Sequence, residues 1–191
     1  MSTSDKDFES AMRYVSAIEG GANFNVVKGK PVLKEKSKND TGGPTKYGIT
    51  WGTLCRAYSQ GIVSHADITQ LTQEEARLIY KANYWTASRA DRMKWGLCLV
   101  HFDTAVNSGV SGAGKLLQAT LNSMGEKLAE DGIVGPKTLA AIDKYPVNDI
   151  IRAYLKMRKA LYQKIVDRDP RQKVFWNGWM NRLKAIEKGA L

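Results

Sequence analysis

The chain has 191 residues, 43% hydrophobic and 25% charged, a globular composition that argues against a fibrous or disordered protein. Its 29 Lys and Arg against 19 Asp and Glu leave a net charge of +10, which favours a polyanionic partner such as nucleic acid, an anionic membrane face or a bacterial envelope. No stretch reaches the roughly 18 uninterrupted apolar residues of a membrane span. Two Cys and two His, with neither C-x-x-C nor H-x-x-x-H, argue against a zinc site, and no metal or cofactor is expected.

Met1 to Asp7 is polar and acidic, without the basic and apolar regions of a secretory signal. Synthesis in the cytoplasm is therefore expected, with another agent needed for any action at the envelope. Phe8, Ala11, Met12, Val15 and Ile18 form one apolar helical stripe, with Ser4 as its cap and Gly20-Gly21 as its stop. Asn25 to Leu33 alternates like a small β-hairpin turning at Lys28-Gly29. A loop rich in turn formers, Lys36 to Pro44, follows.

Thr72-Gln73-Glu74-Glu75 is a capping box, with Leu71 as a staple, and opens a helix running toward Trp85. Trp95 to Asn107 is apolar on most sides and reads as a buried central helix. Leu116, Leu117, Thr120, Leu121 and Met124 mark the next helix. Pro136 suits the first position of a short one. Asn148 is placed to cap a long helix through Ile165, and Trp176, Trp179, Leu183 and Ile186 mark the last. The fold class is mainly α, with one small hairpin.

Glu19 is the first candidate for chemistry. At a helix C-terminus the dipole disfavours a second negative charge, and apolar surroundings would add to the effect. Both raise a carboxyl toward the range a general acid needs. A solvated surface Glu is the plainer reading. Asp40, with Thr45, Tyr47 and Thr50, is the second candidate. A second carboxylate and hydroxyls could hold a water or stabilise an oxocarbenium-like transition state. An Asx-turn at Asp40 and a helix cap at Thr50 are the plainer readings.

Gly109 to Lys115 fits G-x-x-x-x-G-K, but Leu116 stands where a P-loop needs Ser or Thr, and the preceding segment is helical. A helix–helix connection explains those glycines better. His101 reads as a satisfied core histidine, and no G-x-S-x-G elbow accompanies it. Cys55 and Cys98 read as buried thiols, with a disulfide between them left open. Trp85, Trp95, Trp176 and Trp179 are expected in the core. Trp51 and Tyr84 are held apart as faces on which a sugar ring could stack.

Taken in order, Glu19-Gly20-Gly21, the run Asp40 to Thr50, Tyr84-Trp85 and Phe102 to Gly109 resemble the glycoside hydrolase family 108 lysozymes. That family includes phage endolysins and bacterial proteins once labelled secretion activators. Leu117-Gln118, Leu121-Asn122, Asp131 to Leu139 and Phe175 to Arg182 resemble the peptidoglycan-binding region that usually follows. The resemblance implies a lysozyme-like helical fold. It divides the chain into a catalytic region, 1–107, and a helical peptidoglycan-binding region, 108–191, packed as one globular unit.

It also implies an antimicrobial, wall-lysing N-acetylmuramidase that cleaves the β-1,4 bond between N-acetylmuramic acid and N-acetylglucosamine. Glu19, Asp40 and Thr45 fall on the family's catalytic positions. Tyr47, Thr50, Trp51, Tyr84 and Asn107 are the candidate substrate-binding residues. Peptidoglycan is the implied partner, holin-dependent release into the periplasm the implied route, and a monomer the expected state. Two departures stand out: Ala22 replaces a common Tyr, and the spacing from Glu19 to Asp40 is widened by the Lys-rich hairpin. A lytic transglycosylase using the same Glu19, and a non-catalytic wall-binding protein, are the alternatives. Nucleic-acid binding is disfavoured because the basic residues are dispersed. Envelope binding through charge predicts activity that falls with added salt.

Overall fold

The apolar stripe Phe8, Ala11 and Val15 is buried along α1 (Thr3–Ile18), as its helical spacing requires. The computed structural model describes residues 3–18, 22, 24–28, 30–34 and 43–191. α1 begins before Ser4, which is inside the helix rather than its cap, a shift within the usual play of helix ends. The expected stop at Gly20-Gly21 lies outside the described residues. Among the described residues the protein is mainly α, with two short hairpins as its only strands. Two compact units make it up, residues 15–83 and residues 1–14 with 84–191.

In the unit 15–83, β1 (Phe24–Val27) pairs antiparallel with β2 (Lys30–Leu33), with Val27 opposite Lys30. The hairpin turns between Val27 and Lys30, with Lys28 taking a left-handed φ of 51°, whereas Gly29, the other residue of the expected turn, lies outside the described residues. A second hairpin was not expected: β3 (Thr45–Lys46) pairs with β4 (Ile49–Thr50) around Tyr47 and Gly48. α2 (Trp51–Ser59) and α3 (Gln73–Tyr80) follow. The capping box forms in full: Thr72 Oγ1 accepts from the Glu75 N–H at 3.2 Å, and Glu75 accepts from the Thr72 N–H at 2.9 Å. Leu71, Ala76 and Ile79 are buried.

The chain leaves α3 through a π-helical stretch, Lys81–Thr86. In the other unit Trp85 is fully enclosed by edge-on contacts with Phe8 and Phe102, at 5.6 and 5.4 Å between ring centres. Five helices complete this unit: α4 (Leu97–Ser108), α5 (Val110–Ser123), α6 (Pro136–Ile142), α7 (Val147–Arg168) and α8 (Trp176–Ala190). α4 is the central helix, buried from Leu97 to Ala105 and packed against α5, α7 and α8. Trp95, expected in the core, is partly exposed, because the chain turns at Gly96 (φ 85°) before α4 begins, and Trp176 and Trp179, also expected there, are only half-buried on the first turns of α8. Pro136 opens α6 as expected. α7 starts ahead of Asn148, because Pro146, with φ fixed near its observed −57°, already sets the chain at the helix entry.

The glycines of the G-x-x-x-x-G-K run are explained by packing. Gly109 alone joins α4 to α5, with φ 77°. Gly114 lies inside α5, where a Cβ would collide with the Gly132 backbone. The loop that brings Gly132 there is held by two amides. Gln118 donates to Asp131 Oδ1 at 2.8 Å and accepts from the Gly132 N–H at 2.8 Å. Asn122 accepts from the Leu128 N–H at 2.7 Å and donates to the Leu128 carbonyl at 3.0 Å.

Asp103, fully buried on α4, accepts from Arg158 Nη1 at 2.6 Å and from Arg182 Nε at 3.0 Å. Arg158 donates in turn to the Tyr162 hydroxyl at 2.9 Å. Both cysteines are free thiols. Cys98 is buried as expected, which pushes its thiol up to about 12, but Cys55, on α2, is only half-buried.

His101 is a satisfied core histidine. Its Nε2 lies 3.0 Å from the Ser88 carbonyl, which only accepts, so the neutral ring carries its proton there. Nδ1 faces the Tyr154 hydroxyl at 2.9 Å, whose single proton is shared with the Ala113 carbonyl. Burial pushes the imidazole down to about 4, against a weaker opposing pull from Ser88. An unfolded His titrates near 6.5, so between these values the unfolded chain binds the extra proton. Stability is therefore complete above pH 6.5 and falls by about 3 kcal/mol toward pH 4. Urea midpoints measured across that range should show this slope. His101→Gln should flatten it, and an unchanged slope in that variant would refute the assignment.

Candidate active site

The β3–β4 hairpin positions the first group of expected site residues. Tyr47 and Gly48 take φ of 53° and 75°, the two left-handed residues that a tight hairpin turn requires. The register sets Thr45 directly opposite Thr50 and Lys46 opposite Ile49. Side chains of directly paired residues share a face, so both threonines lie together and Ile49 points into the core. Thr45 Oγ1 donates to the Gly43 carbonyl at 3.2 Å. Thr50 Oγ1 accepts from the Thr53 N–H at 3.2 Å, which makes it the N-cap of α2.

Trp51 is the first residue of α2. Its N–H donates to the Pro44 carbonyl at 2.9 Å, and its indole Nε1 donates to the Ala66 carbonyl at 3.2 Å. The ring is thus fixed at its polar edge while 53% of the residue stays exposed. Such a fixed, open aromatic face suits the apolar C–H surface of a sugar. Tyr47 is held at its backbone, where its carbonyl accepts from the Tyr80 hydroxyl at 3.1 Å. Lys46 Nζ stands 5.5 Å from the Tyr47 ring centre and donates to the Thr69 carbonyl at 2.9 Å. The sequence reading missed Lys46 and Tyr80 as supports of this turn. Their partners lie 23 and 33 residues away in sequence, and no local signal announces them.

The described carboxylates of this unit are all engaged. Asp67 accepts from the Thr69 hydroxyl and N–H, at 2.7 and 2.9 Å, and these bonds hold it below its usual range. The Arg77 guanidinium lowers Glu74, and the Thr72 N–H lowers Glu75. Each is kept ionised, which disqualifies it as a proton donor near neutral pH. Glu19 and Asp40 lie outside the described residues.

Two expected site residues belong to the other unit. Tyr84 is half-buried in the π-helical stretch, its carbonyl accepting from the Ser88 N–H at 3.1 Å. Asn107 is exposed near the end of α4, and its Oδ1 accepts from the Tyr162 hydroxyl at 2.8 Å. It is therefore fixed by the same chain of bonds that runs through Arg158 to Asp103. Gln118 and Asn122, which the resemblance sets in the peptidoglycan-binding region, spend their amides on holding the loop between α5 and α6. Among the described residues no cluster of His, Cys, Asp and Glu could hold a metal ion. No helix among them is long and apolar enough to cross a membrane.

Residues 12–109 match the family described as Glycosyl hydrolase 108, and residues 112–184 match the Predicted Peptidoglycan domain. The solved structure of Brucella abortus SagA is similar, at 31% identity over 97% of this chain and 94% of that one, with a TM-score of 0.74. Among curated proteins there is no match.

Proposed function

From the premise that the chain belongs to the glycosyl hydrolase 108 family and is a peptidoglycan hydrolase, we propose that it is an N-acetylmuramidase with Glu19 as its general acid. It cleaves the β-1,4 bond between N-acetylmuramic acid and N-acetylglucosamine. The observation that carries this reading is the β3–β4 hairpin, whose register gathers Thr45 and Thr50 on one face beside the fixed indole of Trp51. Protonated Glu19 gives its proton to the glycosidic oxygen as the C–O bond breaks. Asp40 faces the cationic sugar, and a water held by Thr45 or Thr50 adds to the anomeric carbon and gives its proton to a carboxylate, Asp40 or the Glu19 left ionised by the first step. The state of Asp67, Glu74 and Glu75 supports the choice of acid. Hydrogen bonds keep all three ionised, which leaves Glu19, Glu35 and Asp40 as the other carboxyls of that unit.

The test is end-group analysis of fragments released from purified sacculi, run in water enriched in heavy oxygen. The expected product is a reducing N-acetylmuramic end carrying one oxygen from solvent. Anhydro-muramic ends without that oxygen would show a transglycosylase, and reducing N-acetylglucosamine ends a different bond. Binding without release would leave a wall-binding protein.

A further inference from the structure

α7 and α8 carry a feature that the reaction does not use. Arg152, Lys156 and Lys159 recur on one face of α7, with Leu155 between them, at spacings that align on a helix. Facing them on α8 are Trp176, Met180, Leu183 and Lys184. Together they line a groove of about 550 Å³. Leu155 and Leu183 are buried in its floor, Trp176 and Met180 are half-buried, and the four basic groups are exposed.

The groove is strongly one-signed. Against its four cations stands one lining carboxylate, Glu187. Arg152 shares Asp149 at 3.6 Å, whereas Lys156, Lys159 and Lys184 form no ion pair among the described residues. Like charges three and four residues apart repel on a helix. An anionic occupant relieves that repulsion. The apolar floor selects further: it fits a chain with small apolar groups between its charges, rather than a bare ion or a neutral sugar.

We propose that the α7–α8 groove binds the stem peptide of peptidoglycan, its lysines taking the peptide carboxylates and Trp176, Met180 and Leu183 taking the alanine methyl groups. The assignment rests on peptidoglycan being the substrate, and it gives the chain a hold on the wall that is separate from the glycan chemistry. An anionic membrane surface is the competing occupant, since the turn before α8 leaves Val174 77% and Phe175 54% exposed. A concave groove with walls on two helices suits an extended peptide better than a bilayer plane.

The experiment is a titration of the isotope-labelled full chain, followed by the backbone amides of α7 and α8 and the Trp176 indole N–H. The probes are a synthetic stem tetrapeptide, the same peptide with its carboxylates amidated, and vesicles of anionic phospholipid. The free-acid peptide is expected to shift the groove signals, and the amidated form to bind at least about tenfold more weakly. The triple variant Lys156→Gln, Lys159→Gln, Lys184→Gln should lose affinity by about tenfold with an unchanged melting temperature. Met180→Lys, which removes an apolar contact of the groove while adding charge, should also weaken binding.

The proposal is overturned by no shift at millimolar peptide, by shifts elsewhere, or by equal binding of the amidated form or of the triple variant. Groove shifts with vesicles but not with peptide would overturn it in favour of lipid. Fragment release by the same preparation keeps the two readings apart. A protein that cleaves sacculi but ignores the peptide refutes the groove alone, and one that binds the peptide but cleaves nothing refutes the hydrolase alone.

Discussion

Replacing Glu19 with Gln is expected to cut fragment release from sacculi by about 10²–10⁴-fold and to leave the melting temperature unchanged. The leaving group is a sugar alkoxide, which departs slowly unless a proton reaches its oxygen as the bond stretches. Gln has the shape and the hydrogen-bonding reach of Glu but no acidic proton to transfer. At about 1.4 kcal/mol for each tenfold in rate, the loss corresponds to about 3–5 kcal/mol of transition-state stabilisation. Wild type and variant should still bind sacculi equally, because the substitution removes a proton donor rather than a surface. Initial rates of fragment release, with sedimentation of bound protein as the control, decide the matter. Equal rates would move the acid elsewhere.

Asp103→Ala is expected to destabilise the fold by about 3–5 kcal/mol, read as a fall in the urea midpoint. The carboxylate stands between Arg158 Nη1 at 2.6 Å and Arg182 Nη2 at 2.9 Å, and both Asp103 and Arg158 are fully buried. Removing it leaves two cations side by side in the interior with nothing to offset their desolvation. Arg158→Met should cost less, because Asp103 then keeps Arg182 and the remaining pair is neutral. This order, Asp103→Ala worse than Arg158→Met, follows from charge balance and not from volume, since the Arg side chain is the larger of the two removed. The opposite order would mean that the packing of the Arg158 stem, rather than its charge, holds α7 to α4.

Local signals made most of the helices legible in the sequence. The stripe of α1, the capping box at Thr72, Pro136 at the head of α6 and the β1–β2 hairpin each act within a few residues, and each is present. Short, weakly patterned elements were not legible. β3 and β4 are two residues each, too short to show alternation, and only Gly48 beside Tyr47 hints at the turn. The Asp103 cluster joins residues 55 and 79 apart in sequence, so no spacing rule reaches it. At the candidate site, Thr45, Thr50 and Trp51 stand out in the sequence as candidates, and the structure sets them on one hairpin and the helix that follows it. What sequence did not supply was the register that sets the two threonines opposite each other. The basic face of α7 looked like scattered charge because its members are separated by intervening residues. Reading Arg152, Lys156 and Lys159 at helical period would have found it.

The two thiols bear on where this fold can exist. Cys55 and Cys98 are unbonded, and burial holds the Cys98 thiol near 12, so at neutral pH almost none of it is the reactive thiolate. Cohesion comes from the Phe8, Trp85 and Phe102 packing and from the Asp103 cluster, neither of which depends on an oxidant. The same folded form is therefore compatible with glutathione-buffered and with oxidising surroundings. A peptidoglycan hydrolase built this way needs no disulfide to reach its folded form, so a change of redox surroundings by itself neither assembles nor dismantles it.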